Sequence, residues 1–375
     1  MVKASVIITS YNNSHNLERC LNSLINQNYD RNLIDLEIIV VDSGSTDNSI
    51  EIFEKYKNKI KVILKPKNSP RFSPAVARNI GVQNSNGEIL IFTDSDCIPP
   101  SNWIKEMLVS FQNPEIDCVI GSREPDIGKG VGTFVRRYDF ILYSEKFKIS
   151  QPLIINKNNL QRNTPFVLMA GNNFGIKKEL WNRIKGMKTI FKHPTGEDVM
   201  MEIEIIKKGY NILFNPNLKV NHIHPISLLK VFEKAFWNGE STYLLQKYSN
   251  NFVNWKHFAK RGHIFHLHWC IFYTLILILF LFIFIFLKLH FLLILTMFFL
   301  SLLFGLLINS FFLKRKLELV LMNKGKKYEE LYKSSFFWVF CFNSLHFLTK
   351  LLSLISFLWC NIKYASFRRN IKRKR

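Results

Sequence analysis

Acidic residues are scarce in this 375-residue chain: 28 Asp and Glu stand against 51 Lys and Arg, a formal net charge of +23. The shortage is concentrated beyond residue 255, where 3 acidic residues face 19 basic ones. A general nucleic-acid binder spreads basic charge over its folded domain, so a near-neutral front joined to a basic back end argues against a nucleic-acid partner. Cysteine is sparse too. Cys20, Cys97, Cys118, Cys270, Cys341 and Cys360 make no CxxC pair and no disulfide framework, which fits free thiols in a reducing compartment. A chain that is 48% apolar is not disordered. Nothing like a leader opens it: Met1-Val2-Lys3 runs directly into the apolar segment Ala4–Thr9, so the front domain is expected to stay in the cytoplasm.

Charge is nearly absent from Trp269 to Leu313, a 45-residue run with Lys288 as its one charged side chain. One helix of that length would be roughly 68 Å long, about twice the hydrocarbon thickness of a bilayer. Two spans, Trp269–Leu287 and Phe291–Leu313, fit better, with Lys288-Leu289-His290 as the turn. Basic residues on both flanks (Lys256, Lys260, Arg261; Lys314, Arg315, Lys316) predict that both ends of this hairpin lie in the cytoplasm. Phe336–Cys360 carries a polar stripe of Asn343, His346, Lys350 and Ser353. It reads either as an interfacial amphipathic helix or as a third span. Membrane lipids are thus an expected partner, and a multi-pass cytoplasmic membrane protein is the expected location. The expected divisions are 1–225, a catalytic-type domain; 226–268, interfacial helices or linker; 269–313, two transmembrane helices; 314–334, a basic cytoplasmic loop; and 335–375, the amphipathic or third membrane helix with its basic tail. Within the second division, Ile226–Trp255 reads as helices at a membrane surface or as a core helix pair.

The front domain alternates. Ala4–Thr9, Leu36–Val41, Ile60–Leu64 and Glu88–Thr93 read as buried strands. Asn12–Asn26, Ser45–Tyr56 and Pro74–Asn84 read as helices, the second capped by Ser45 or Thr46. Such alternation predicts an α/β doubly wound sheet, mostly parallel, whose ligands sit beyond the carboxyl ends of its strands. Polar groups follow three strands: Ser10-Tyr11-Asn12, Asp42-Ser-Gly-Ser-Thr-Asp47 and Asp94-Ser95-Asp96. Glu197-Asp198 opens a later helical run. Singly, each has a plain alternative: Asp42 and Gly44 are ordinary turn residues, and Thr195-x-x-Asp198 fits a helix capping box. Together they suggest chemistry. Two carboxylates one residue apart suit Mg²⁺ or Mn²⁺, which prefer oxygen ligands and keep a bound diphosphate. Asp42, which can only accept hydrogen bonds, suits a base or ribose. Asp198 is a candidate base toward an attacking hydroxyl.

Ser5-Val-Ile-Ile-Thr-Ser-Tyr-Asn12, Ile39-Val-Val-Asp-Ser-Gly-Ser-Thr-Asp47, Ala77-Arg-Asn-Ile-Gly81, Phe92-Thr-Asp-Ser-Asp96 and Gly196-Glu-Asp198 occur in that order. Over roughly residues 4–240 the chain thereby resembles the family 2 glycosyltransferases of GT-A fold. The resemblance implies that Asp42 contacts the base of the donor, that Ser10 and Tyr11 line the same pocket, and that Arg78 lies near the nucleotide. It makes Asp94 and Asp96 the DxD pair, with Asp96 the direct metal ligand, and Asp198 the catalytic base with Glu197 beside it in the acceptor site. Asn172 and Asn173 would border the acceptor. Within Asn221-His-Ile-His224, His222 would approach the metal or diphosphate. Anomeric inversion by one in-line displacement is implied as well. Two positions depart from the pattern: Glu204 stands where the family often has Arg, and Lys185-Gly-Met-Lys-Thr189 replaces a Gly-Gly-Phe-Asp-Glu-like turn. The Q-x-x-R-W motif of processive synthases is absent, which implies one sugar per turnover.

The expected activity is therefore transfer of one sugar from a nucleotide-sugar donor, a UDP-sugar favoured, to a lipid-linked or glycan acceptor in cell-surface polysaccharide assembly. The expected cofactor is a divalent cation, Mg²⁺ or Mn²⁺. Transfer to a polyprenyl phosphate and a non-catalytic membrane scaffold are the alternatives.

Overall fold

The computed structural model describes residues 1–66, 72–125, 149, 151–158, 171–223 and 228–249, with isolated positions from 300 onward. The chain divides into two compact units. One holds Met1–Val131, Asp139–Ile226 and Leu244–Phe252; the other holds Gly132–Tyr138, Ser227–Tyr243 and Val253–Arg375.

The first unit is built on a mixed sheet. The described strands are β1 (Val2–Ser10), β2 (Ile34–Asp42), β3 (Lys61–Leu64), β4 (Ile89–Asp94), β5 (Cys97–Ile98), β6 (Cys118–Pro125), β7 (Leu153–Ile155), β8 (Phe174–Lys177) and β9 (Ile212–His222). Their order is β3-β2-β1-β4-β8-β6-β9-β5, with β7 also paired to β9. The four strands expected from the sequence form the parallel half. Beyond β4 the pairing turns mixed: β8 is antiparallel to both β4 and β6, and β9 is parallel to β6 but antiparallel to β5 and β7.

Side chains alternate across each parallel strand. Ala4, Val6 and Ile8 join a core with Leu17, Leu21 and Leu24 of α1 (Ser14–Ile25), Phe53 of α2 (Ser49–Tyr56) and Trp103 of α4 (Trp103–Ser110). Ile7, Leu90 and Phe92 enter the opposite core with Trp181 of α5 (Lys178–Ile184) and Met201 and Ile205 of α6 (Glu197–Lys207). Phe92 stacks on Phe174 at 4.4 Å and on Trp181 at 5.0 Å. Burying a ring of this size contributes up to about 3 kcal/mol. On the same side, α3 (Pro74–Gln83) starts where its sequence predicts: Ser73 accepts from the Val76 N–H, and Pro74 occupies the first turn, where no donor is needed.

Two cap expectations change. α2 begins after Asn48, not at Ser45 or Thr46, because Ser45 is bonded to Asp42. Asp47 serves instead. One oxygen accepts from the Ser14 N–H at the start of α1, the other from the Ser49 N–H at the start of α2. Burial opposes its ionisation, but the bonds from Ser49 and Ser14 win and hold the carboxyl down at about 2. At the second site, α6 has Gly196 rather than Thr195 at its N-cap position.

The expectation of a multi-pass membrane protein is corrected. Among the described residues no helix is long and apolar enough to cross a membrane. The longest, α7 (Leu228–Tyr248), carries Lys230, Glu233, Lys234, Glu240 and Lys247 along its length, and that many charges cannot be taken into hydrocarbon. The hairpin expected over 269–313, the loop 314–334 and the helix and tail expected over 335–375 lie outside the described residues, apart from isolated positions.

Candidate active site

Topology gathers the polar groups on one sheet edge. Parallel β1, β2 and β4 end there with Ser10, Asp42 and Asp94. β8 runs the other way, so the segment just before it, 171–173, lies beside the end of β4. β9 is parallel to β6, so it reaches the same edge with His222. Ser10 is the register partner of Asp42, and Thr9 of Asp94.

Asp42 is buried and shapes its own loop. Its Oδ2 accepts from the N–H groups of Gly44 and Ser45, both at 2.8 Å, and its Oδ1 from the Ser45 hydroxyl at 2.5 Å. The turn requires φ +98° at Gly44, a backbone state that favours glycine. Asn12 clasps this loop to the first: its N–H donates to Ser45 Oγ, and its Oδ1 accepts from the Thr46 N–H. Ser10 is buried with its hydroxyl unbonded, whereas Tyr11 is exposed.

Arg78 occupies the centre and is 2% exposed. One terminal nitrogen donates to Asp94 Oδ1 at 3.0 Å, the other to Glu197 Oε1 at 3.1 Å. The Thr9 hydroxyl donates to the same Asp94 oxygen at 2.7 Å. Burial works against the guanidinium charge, but Asp94, Glu197 and Asp198 more than compensate and raise its pKa. Gly171 packs on the guanidinium so closely that a Cβ there would lie 2.6 Å from it. Arg78 is thus spent on two carboxylates, rather than standing open toward a nucleotide.

Glu197 and Asp198 differ sharply although adjacent. Glu197 is buried, and its Oε2 has no partner. Burial first, then the Asp198 charge, pushes its carboxyl up to about 7 against the pull of Arg78. Asp198 is half-buried; its Oδ2 accepts from the Gly171 N–H at 3.1 Å and its Oδ1 from the Val199 N–H at 2.8 Å.

The asparagines part ways as well. Asn173 is wholly buried: its Nδ2 donates to the carbonyls of Ser122 and Leu218, and its Oδ1 accepts from the Trp103 indole N–H. Those carbonyls flank the register shift between Gly121 and Ser122, so Asn173 holds a bulge together. Asn172 is also buried, but its Oδ1 is unbonded.

The two acids of the DxD face different partners. Ser95 between them accepts from Asn13 Nδ2, and Asp96 Oδ2 lies 3.3 Å from His222 Nε2. Ligating atoms of Asp96, Cys97 and His222 all lie within 4.8 Å of one another. A carboxylate beside an imidazole suits a divalent cation, so Asp96 and His222 fit the expected ion. Asp94 is tied instead to Arg78 and Thr9. Sequence reasoning missed Thr9, Ser45 and Cys97; the first closes the strand expected from the sequence and the last directly follows the DxD, and those positions were the available signals.

Residues 5–183 match the sequence profile of the family described as glycosyl transferase family 2. They form a family 2 glycosyltransferase domain. The α/β mixed sheet is accordingly GT-A-like. The chain is similar to glycosyltransferase AglE of Haloferax volcanii, 28% identical over 255 residues, which covers 62% of this chain and 79% of that protein. It is 30% identical over 131 residues to poly(ribitol-phosphate) β-N-acetylglucosaminyltransferase TarS of Staphylococcus aureus, covering 35% of this chain but only 22% of that protein. The third relative is the dolichyl N-acetyl-α-D-glucosaminyl phosphate 3-β-D-2,3-diacetamido-2,3-dideoxy-β-D-glucuronosyltransferase of Methanococcus voltae. The identity is 24% over 260 residues, covering 64% of this chain and 73% of that protein.

Proposed function

We propose that this domain transfers one sugar, with inversion, from a nucleotide-sugar donor to a hydroxyl of a lipid-linked glycan in cell-surface glycan assembly. The observation that carries the proposal is the contrast between Glu197 and Asp198 at an edge shared with Asp42, Asp94 and Asp96. Neighbouring acids whose surroundings differ this much are suited to different tasks. Asp198, half-open and oriented by two backbone N–H groups, removes the proton from the acceptor hydroxyl as that oxygen attacks the anomeric carbon. Glu197 is buried and engaged by Arg78, so it does not compete for that role. Asn172 offers its unbonded carbonyl oxygen to the acceptor.

On the donor side, Asp42 accepts from the base, with Ser10 and Tyr11 at the same pocket. A UDP-sugar is the favoured donor. Asp94, fixed through Oδ1 by Thr9 and Arg78, presents its second oxygen to the donor. Asp96 and His222 hold the divalent ion, Mg²⁺ or Mn²⁺, which when bound offsets charge gathering on the departing diphosphate. The lipid-linked glycan acceptor is supported by the name of the Methanococcus voltae relative.

The test is product analysis after incubation with a panel of nucleotide sugars and lipid-linked glycans. The account expects one added sugar with inverted anomeric configuration, and none with Asp198→Asn. Retained configuration, or a run of added sugars, would contradict it.

A further inference from the structure

Cys97 has no place in the reaction described above, yet it lies inside the cation site. It stands directly opposite His222 in the antiparallel β5–β9 pair, which puts both side chains on one face. Its Sγ is 3.6 Å from Asp96 Oδ1, while Asp96 Oδ2 is 3.3 Å from His222 Nε2. Neighbouring ligands of a tetrahedral ion bound at about 2.0–2.3 Å lie about 3.3–3.8 Å apart. Each separation is of that size, from a different oxygen of Asp96; one atom from each of the three residues lies within 4.8 Å of the others, so the three must draw together to share one ion.

We propose that Cys97 completes the cation site with Asp96 and His222, giving a carboxylate–thiolate–imidazole centre that holds a borderline-soft ion such as Zn²⁺ more tightly than Mg²⁺ or Mn²⁺. This rests on the cation reading of the same site and names its selectivity. Thiolate ligands favour zinc, whereas magnesium and manganese favour oxygen. Binding breaks the Cys97 S–H bond, forms a metal–sulfur bond and releases the proton to solvent, with no change of oxidation state. The side chain of Asp96 is one-third exposed and gives the ion its way in. Three protein ligands leave a fourth position open, the arrangement of catalytic rather than structural zinc sites. That position suits a diphosphate oxygen.

The test uses the full chain, stripped of metal and titrated with Co²⁺, Zn²⁺ and Mn²⁺ separately, with binding followed by absorption and calorimetry. Co²⁺ should give a thiolate-to-cobalt charge-transfer band in the native protein and in Cys20→Ser, whose thiol lies outside the cluster. The band should vanish in Cys97→Ser and Cys97→Ala. Zn²⁺ should bind at least about tenfold more tightly than Mn²⁺, and the gap should narrow in the Cys97 variants. If neither variant folds, the native and Cys20→Ser spectra still decide. Co²⁺ bound without the band would overturn Cys97 as a ligand while leaving the Asp96–His222 cation site standing. Absence of binding by any of the three ions would overturn both.

Discussion

Arg78 and Glu197, 119 positions apart in sequence, form a buried ion pair at 3.1 Å, and the same guanidinium holds Asp94 at 3.0 Å. One cation therefore couples the carboxylate proposed for the donor side to the one proposed for the acceptor side. Removing one partner of a buried pair leaves uncompensated charge, at a cost of about 3–5 kcal/mol. Arg78→Met should lower unfolding stability by that amount in urea titrations. Arg78→Lys should fall between the two, since an ammonium cannot reproduce the fork that serves both acids.

Glu197 gives the domain a pH dependence of defined sign. Its carboxyl rises from an ordinary 4.5 to about 7 on folding, through burial first and then the Asp198 charge. A raised carboxyl favours the fold at low pH and loses that contribution as pH climbs through about 7. Melting temperatures of the native protein and Glu197→Gln, compared from about pH 5 to pH 8, should diverge in favour of the variant as pH rises. A constant difference would mean that Glu197 does not titrate in that window.

Asp47 caps two helices at once. Loss of a side-chain cap costs about 1 kcal/mol, so Asp47→Ala should lose about 2 kcal/mol in chemical denaturation. Thr46→Ala, at a cap position that the sequence suggests, should not show this loss.

Asn172 and Asn173 should separate in opposite directions. Asn173→Ala strands the Trp103 indole N–H and two backbone carbonyls, at about 1–3 kcal/mol for each group left unpaired. It should destabilise the fold strongly. Asn172→Ala removes an unbonded carbonyl oxygen and should leave stability near native while raising the KM for acceptor. Equal stability losses would remove Asn172 from the acceptor site.

Much of this was legible in the sequence, for identifiable reasons. β1, β2 and β4 are central strands buried on both faces, so they read as unbroken apolar runs, and Asp42 and Asp94, at the ends of β2 and β4, fall on the edge proposed to bind ligands. The second half of the sheet was not legible. β5 has two residues and β8 four, and β9 carries Asn215-Pro216-Asn217 at a bulge, which breaks any periodic signal. The carboxylates were found but their partners were not. Arg78 finds Glu197 and Cys97 finds His222 across more than a hundred residues, and pairings at that range follow from topology rather than local pattern. The apolar run at 269–313 read as a membrane hairpin, and apart from isolated positions it lies outside the described residues.

Nucleoside diphosphate release tests the central claim most directly. Purified protein would be given UDP-, GDP- and dTDP-sugars with lipid-linked glycan acceptors, with divalent cation or with EDTA, beside Asp96→Asn and Asp198→Asn. The account predicts release from one donor that stops with EDTA and with Asp96→Asn. It also predicts a fall of about 10²–10⁴-fold with Asp198→Asn, whose donor binding stays intact. Release that persists at the native rate in both folded variants would contradict it.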